Sequence, residues 1–190
     1  MIPFELYSIS PDIPEFGEIY RIPNYYTPSE LSTIQSSYDS DRVMSDRDYP
    51  SHRVEHGVIS EKSKWLFDNW SEVCEMTTID GVEYYKNDPS YVDESIRGSM
   101  GNSRLYPPHT DCGSRKLLTI LVPLCEVGCP TMFNGVSRSR VWCHEWALND
   151  AYMFRPSNRS YHSYQNTMDC NRWIGNINIC GVVPEGGVCN

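Results

Sequence analysis

The sequence predicts a mainly β protein, a sandwich or barrel formed after residue 100 with two helices ahead of it. Three observations carry this. From residue 103 onward seven short β-rich runs follow one another at even spacing, with turn residues and no helical pattern between them. Helical signals are confined to the first half. The 190 residues, 39% hydrophobic and 22% charged, have the composition of an ordinary globular chain, long enough to bury a core without a metal or disulfide.

Taken in order, Thr27-Pro28-Ser29-Glu30 supplies an N-cap, a proline at the first helical position and a capping-box glutamate, followed by Leu31 and Ile34 on one face. Ser60 through Met76 reads as the second helix, with Trp65, Leu66, Trp70 and Val73 at helical spacing. Residues 39–58 and 80–98 are polar and rich in Asp, Pro and Tyr, and read as loops. The β runs are Ser103–Tyr106, Lys116–Leu124, Thr131–Phe133, Ser139–Trp142, Ala151–Arg155, Tyr161–Tyr164 and Arg172–Val183. Turns such as Asn134-Gly135, Asn149-Asp150 and Pro156-Ser157-Asn158 divide them. The expected organisation is one domain: residues 1–99 a helical and loop support region with a lid, residues 100–190 the β core. The lid would be the two polar loops with Tyr84, Tyr85 and Tyr91.

Charge excludes some partners. Residues 1–100 carry 8 basic and 19 acidic side chains, and residues 101–190 carry 8 and 6, so the halves sum to −11 and +2. The first half would repel a phosphate backbone, which argues against bulk nucleic-acid binding. The second half gathers Arg138, Arg140, Arg155, Arg159 and Arg172, enough to hold a small anion. No apolar run approaches the ~18 residues of a membrane span. The first residues lack a secretory pattern, so the expected location is cytoplasmic. The eight cysteines then read chiefly as small core hydrophobes.

His109-Thr110-Asp111 is the first chemical candidate. In an extended segment residues i and i+2 share a face, so an imidazole and a carboxylate can share a metal. With 5 His and 12 Asp in the chain, chance gives roughly 0.3 such triplets, so the motif needs support. Support comes from Asn149 through His162, where a strand, a tight turn and a second strand deliver a lone histidine at a defined β position. Ten residues on, Arg172 opens the last long strand, and a buried arginine requires an anion. Two imidazoles and one carboxylate on one face of an octahedral metal suit non-haem Fe(II) with open positions for a bidentate co-substrate and O₂. An arginine nearby can clamp the co-substrate's far carboxylate.

These segments together resemble the Fe(II)- and 2-oxoglutarate-dependent dioxygenases, and most closely the compact prolyl-4-hydroxylase-like members. Tyr106-Pro107-Pro108-His109-Thr110-Asp111 resembles the family's Tyr…His-x-Asp segment, and Gly128-Cys129-Pro130-Thr131-Met132-Phe133 is similar to its Gly-Gly-x-Thr-x-Phe strand. Asn149 through His162 looks like the hairpin that ends in the distal histidine, and Arg172 stands where the basic residue for 2-oxoglutarate is expected. The resemblance implies a double-stranded β-helix (jelly-roll) core. It implies His109, Asp111 and His162 as Fe(II) ligands, Arg172 for the 5-carboxylate of 2-oxoglutarate, and Tyr106 and Thr131 as further contacts to that co-substrate. It also implies O₂ as a reactant, ascorbate as an accessory reductant, and hydroxylation of a C–H bond with release of succinate and CO₂. The substrate would be a small molecule or a peptidyl group, such as a prolyl or other amino-acid side chain. The chain departs from the family pattern at Cys129, where a second glycine is usual, and at Ile174, where many members carry Ser or Thr.

Other readings compete. A non-catalytic, metal-binding jelly-roll protein would keep the fold without the chemistry. A zinc-stabilised module could use Cys125, Cys129, Cys143 and His144. His52 and His56 could form a metal pair, against a solvated loop. Trp142, Trp146, Tyr161, Tyr164 and Trp173 read as core packing rather than substrate stacking.

Overall fold

A computed structural model describes residues 2–9, 16–39, 52–77, 88–99, 105–111, 115–125, 131–134, 141–142, 146–165 and 171–181. Their order is β1 (Tyr7–Ser8), β2 (Ile19–Ile22), α1 (Pro28–Ser36), β3 (His52–Val54), α2 (Glu61–Asp68), α3 (Trp70–Met76) and β4 (Pro89–Ser99). Then come β5 (Leu105–His109), β6 (Lys116–Pro123), β7 (Met132–Asn134), β8 (Val141–Trp142), β9 (Ala151–Phe154), β10 (Tyr161–Gln165) and β11 (Arg172–Gly181). The strands form two antiparallel sheets, a seven-stranded one in the order β1-β2-β9-β6-β11-β4-β3 and a four-stranded one in the order β5-β10-β7-β8.

The period of two along each strand divides the core. On β11, Trp173, Ile177 and Ile179 join Ile96, Leu118, Ile120, Val122 and Met153 in an apolar cluster that also holds Ile34, Leu66, Trp70 and Val73 of the helices. The alternate residues face the other way. Ile174, Leu121, Tyr152, Phe154 and Ile19 pack with Phe16 and with Phe133 of β7, so this second cluster fills the space between the two sheets. Because β11 lies between β4 and β6 and is covered on both faces, its apolar and polar side chains are nearly all buried.

Local chemistry explains the helices. Thr27 and Glu30 form the reciprocal capping box, and Pro28 opens α1. Ser60 caps α2 by accepting from the Ser63 amide at 3.1 Å. The helix expected over 60–76 is broken in two at Asn69, whose backbone N–H and side-chain amide both donate to the Trp65 carbonyl. A short polar side chain that competes for a helix carbonyl interrupts the helix there. Asn149, at φ 61°, closes the corner before β9; its side chain accepts from the Tyr26 amide and donates to the Tyr26 carbonyl, both at 2.9 Å.

One expectation is corrected. Residues 89–98, read as loop, fall in the eleven-residue strand β4, and His52–Val54, within the loop read over 39–58, form its edge neighbour β3. The strand is polar because Arg97 and Ser99 line a cavity while Glu94 is tied to a helix N-terminus. The first hundred residues therefore contribute strands to the larger sheet through β2 and β4 as well as helices.

Glu94 is buried, and its Oε2 accepts from the Ser60 amide at 3.1 Å and the Ser63 hydroxyl at 2.8 Å. Burial pushes its carboxyl from the usual 4.5 up to about 6. The folded state thus holds a proton at pH 5–6 that the unfolded chain has released. The resulting stabilisation is complete below the unfolded value and is lost as pH rises through the folded one. Glu94→Gln should remove this dependence. Relative to the variant, the wild type should lose about 2 kcal/mol between pH 4.5 and pH 7.5, read as urea midpoints at each pH. Parallel profiles for the two proteins would refute it.

Candidate metal centre and its cavity

The β10–β5 ladder sets His162 directly opposite His109, with ring centroids 4.3 Å apart. The ladder shifts register between His162 and Tyr164, which pair with His109 and Tyr106. Two residues on β10 thus span three on β5, and the extra residue falls at Pro107–Pro108. A bulge of this kind lets Tyr106 and His109 face the same side, which a regular strand would forbid. The prolines are tolerated because β5 is the edge of its sheet, with one ladder to feed.

Asp111 follows β5 by two residues and points at the histidine pair. One ligand atom from each of His109, Asp111 and His162 lies within 4.8 Å of the others, and among the described residues this is the one group of three that could hold a metal ion. His109 Nδ1 lies 3.0 Å from the Pro107 carbonyl and His162 Nδ1 lies 3.1 Å from the Ser160 carbonyl. A carbonyl only accepts, so each Nδ1 carries a proton, and in the neutral ring Nε2 is the nitrogen that presents a lone pair. That is the outer hydrogen bonding that orients histidine ligands.

Electrostatics support the same assignment. His162 is 6% exposed, and burial drives its imidazole down to about 4, so it is neutral at physiological pH. Burial pushes the Asp111 carboxyl up, but His162, Lys116 and His109 together outweigh this and hold it below the ordinary carboxylate value. Lys116 Nζ lies 2.9 Å from Asp111 Oδ2, with the Thr119 hydroxyl 3.4 Å from the same oxygen. Lys116 reaches it because β6 is also irregular: Ile179 pairs with Leu118 but Cys180 with Lys116. Leu117 and Leu118 consequently both pack on the helix side, and Lys116 turns into the cavity.

Arg172 opens β11 on the other side of this space. It is 1% exposed, donates to the Thr131 hydroxyl at 2.9 Å, and stacks its guanidinium 4.2 Å above the Tyr164 ring. Tyr164 is fixed in turn by parallel stacking on Tyr106, at 5.2 Å and 3°, and by a 2.7 Å hydrogen bond with the Ser99 hydroxyl. His109, Asp111, His162, Arg172, Thr131 and Tyr106 all line one cavity of about 290 Å³. All six residues singled out in the sequence therefore come together.

Sequence reasoning missed other wall residues. Lys116 was hidden by its bulge, and Tyr164 was read as core. Arg97 falls in the segment that reads as loop, Ser99 just beyond it carries no signal, and Asn176 follows Arg172 and Ile174 at a period of two. Of the competing motifs, Cys129, Cys143, His144, Tyr84 and Tyr85 lie outside the described residues. The Cys125 sulfur accepts from the Trp173 amide at 3.5 Å. His56 accepts from the Val58 amide at 3.2 Å, so its Nδ1 is engaged locally. Trp173 is core as expected, whereas Trp146 stacks on Tyr152 and lies 5.4 Å from the Arg172 guanidinium.

Among the described residues no helix is long and apolar enough to cross a membrane. No family model and no curated protein sequence matches the chain. Solved structures do. A prolyl-4-hydroxylase from Pseudomonas putida superposes with a TM-score of 0.54 at 9% identity, covering 86% of this chain and 92% of that one. The viral collagen prolyl hydroxylase from Paramecium bursaria Chlorella virus-1, in complex with 2-oxoglutarate, gives 0.54 at 10% identity, covering 86% and 96%. A prolyl hydroxylase from Trichoplax adhaerens, in complex with a peptide of the hypoxia inducible factor oxygen degradation domain, gives 0.55 at 13% identity, covering 86% and 83%. The chain shares the fold of the prolyl hydroxylases and 2-oxoglutarate–Fe(II) oxygenases.

Proposed function

We propose that the protein is an Fe(II)- and 2-oxoglutarate-dependent dioxygenase that hydroxylates a C–H bond of a small or peptidyl substrate, with O₂ as oxidant and succinate and CO₂ as products. The observation that carries this reading is the convergence of two Nδ1-protonated imidazoles, one ionised carboxylate and a buried arginine on one cavity. The donor set fits: neutral nitrogens and an anionic oxygen are what a divalent non-haem iron takes on one face. His109, Asp111 and His162 would hold the metal, which when bound supplies the O₂ chemistry.

The chain's own part is binding, orientation and shielding. Arg172 would pair with the far carboxylate of 2-oxoglutarate, and the Thr131 hydroxyl, already its partner, would serve as the second contact. Ile174, one step along the same face, cannot supply the hydroxyl that many members of this family place there. Tyr164 and Tyr106 hold the guanidinium plane in position and close the cavity wall beside His109. Phe154, with its ring centroid 5.2 Å from that of His162, and Leu121 exclude water from the sheet side. The strand order supports a jelly roll. From β4 to β11 the chain alternates between the two sheets, except that β7 and β8 are neighbours in the smaller one, and this is the winding of a double-stranded β-helix. We read the chain as a single domain, because strands from both halves form the larger sheet.

Anaerobic addition of Fe(II) and 2-oxoglutarate should give a weak visible charge-transfer band in the wild type and none in His162→Ala. A folded, metal-loaded wild type without the band would sink the proposal and leave a non-catalytic metal-binding protein as the reading. Arg172→Ala should raise the KM for 2-oxoglutarate by roughly a hundredfold, the equivalent of a lost charge-assisted bidentate contact, while metal affinity changes little. Unchanged co-substrate kinetics in that variant would refute the role given to Arg172.

A further inference from the structure

The cavity has a second arginine that neither the metal site nor the co-substrate employs. Arg97 lies on β4 and lines the cavity with Ser99 and Asn176. Its position in the ladders is well defined. Ser99 pairs with Arg172, Arg97 pairs with Ile174, and Ser95 pairs with Asn176. Arg97 thus stands one step, roughly 7 Å along the strand, beyond the level of Arg172. Further along β11 is Asn178, whose Oδ1 accepts from the Thr119 hydroxyl that also reaches Asp111. Arg97 therefore faces the stretch of wall between the co-substrate end and the metal end.

Holding a cation there is costly. Across the β3–β4 ladder Arg97 sits directly opposite Arg53, a like-charge pair that destabilises a sheet. The nearby carboxylates go to the other arginine: Arg53 bridges Glu55 and, at 2.6 Å, Asp93. Among the described residues the Arg97 side chain has no hydrogen bond or ion pair, and it is half-buried. Burial, then Arg53, lowers its pKa, a cation held against its environment. Asp93 and Glu55 offset this only in part, and they are the carboxylates bridged by Arg53; on the cavity side its neighbours Ser99 and Asn176 are neutral, and hydrogen-bond to Tyr164 and Asn178. A planar five-donor cation in this setting is a ready receptor for an oxyanion.

We propose that Arg97 binds an anionic group of the primary substrate, so that the substrate class is acidic: a molecule or peptide side chain bearing a carboxylate or phosphate close to the C–H bond that is hydroxylated. This rests on the dioxygenase reading for the reaction, but the anion site itself does not. The size of the cavity fits one side chain or a molecule of amino-acid size beside 2-oxoglutarate.

The test is calorimetric titration of the chain, loaded with Mn(II) and 2-oxoglutarate, with three capped amino acids. These are N-acetyl-aspartate methylamide, N-acetyl-phosphoserine methylamide and the neutral N-acetyl-asparagine methylamide. At least one charged probe should bind tenfold or more tighter than the neutral one, and which of them does so names the oxyanion. Arg97→Gln should abolish that preference and Arg97→Lys should keep most of it, with the Kd for 2-oxoglutarate within about twofold of wild type in both. No preference in the wild type, or an undiminished preference in a folded Arg97→Gln, overturns the proposal. Should the glutamine variant not fold, Arg97→Met, which keeps the aliphatic stem, carries the same test. Should Mn(II) and 2-oxoglutarate fail to bind, the dioxygenase reading falls, and the titration is repeated on the bare chain with Arg172→Gln alongside. A preference lost with Arg97 and kept without Arg172 then sustains the anion site, and the reverse overturns it.

Discussion

The pairing of β10 with β5, with one residue to spare on β5, is the constraint on which the cavity depends. Regular pairing would put either Tyr106 or His109 on the outer face, because three residues along a strand reverse the side chain. The bulge at Pro107–Pro108 resolves this, so that His109 meets His162 while Tyr106 stacks on Tyr164. The stacked tyrosine pair then supports the Arg172 guanidinium from a different sheet. A single irregularity in an edge strand thus couples the His109–Asp111–His162 group to the buried arginine. A similar irregularity on β6 turns Lys116 towards Asp111.

The charge on the wall runs opposite to that of the chain. The protein carries −9, yet among the described residues the cavity is lined by Arg97, Lys116 and Arg172 against Asp111 alone, with His162 neutral. Low-dielectric walls of one sign concentrate counter-ions, so this opening draws small anions from solution despite an acidic surface elsewhere. Lys116 and Arg172 also act differently. A lysine is a compact charge, here in an ion pair with Asp111, whereas the arginine fork, preset by Thr131 and Tyr164, has the geometry to receive a second planar group.

Much of this was legible in the sequence, and the failures have physical causes. The capping box at Thr27, the β runs from Lys116 onward and the six cavity residues could be read because each leaves a local mark: a cap, a period or a short motif. Strand β4 could not. A strand signals itself through an apolar face, and β4 uses one face for Arg97 and Ser99 and puts Glu94 on the other, so its polarity imitates a loop. Lys116 was invisible for a related reason, since bulges shift which residues share a face without changing composition. The break at Asn69 depends on one side chain competing for one carbonyl, which helical periodicity on either side conceals.

Strand β4 also ties the two cores together. Its even positions face the helices, where Ile96 packs and Glu94 accepts from Ser60 and Ser63 at the start of α2. Its odd positions, Arg97 and Ser99, face the cavity. A strand held on one face by hydrogen bonds to a helix N-terminus has little freedom to slip, because a slip of one residue would expose Ile96 to the cavity and bury Arg97 among the helices. Gly98 adds a further restraint: the Trp173 ring of β11 lies across it and occupies the space a β-carbon would need. The buried carboxylate at Glu94 is therefore a register pin, and Arg97, one pleat step from the level of Arg172, owes its position to it. Burying a carboxylate against a helix start is a weak source of stability but a strong source of uniqueness, and in this fold it is the uniqueness of β4's register that sets which side chains the cavity receives.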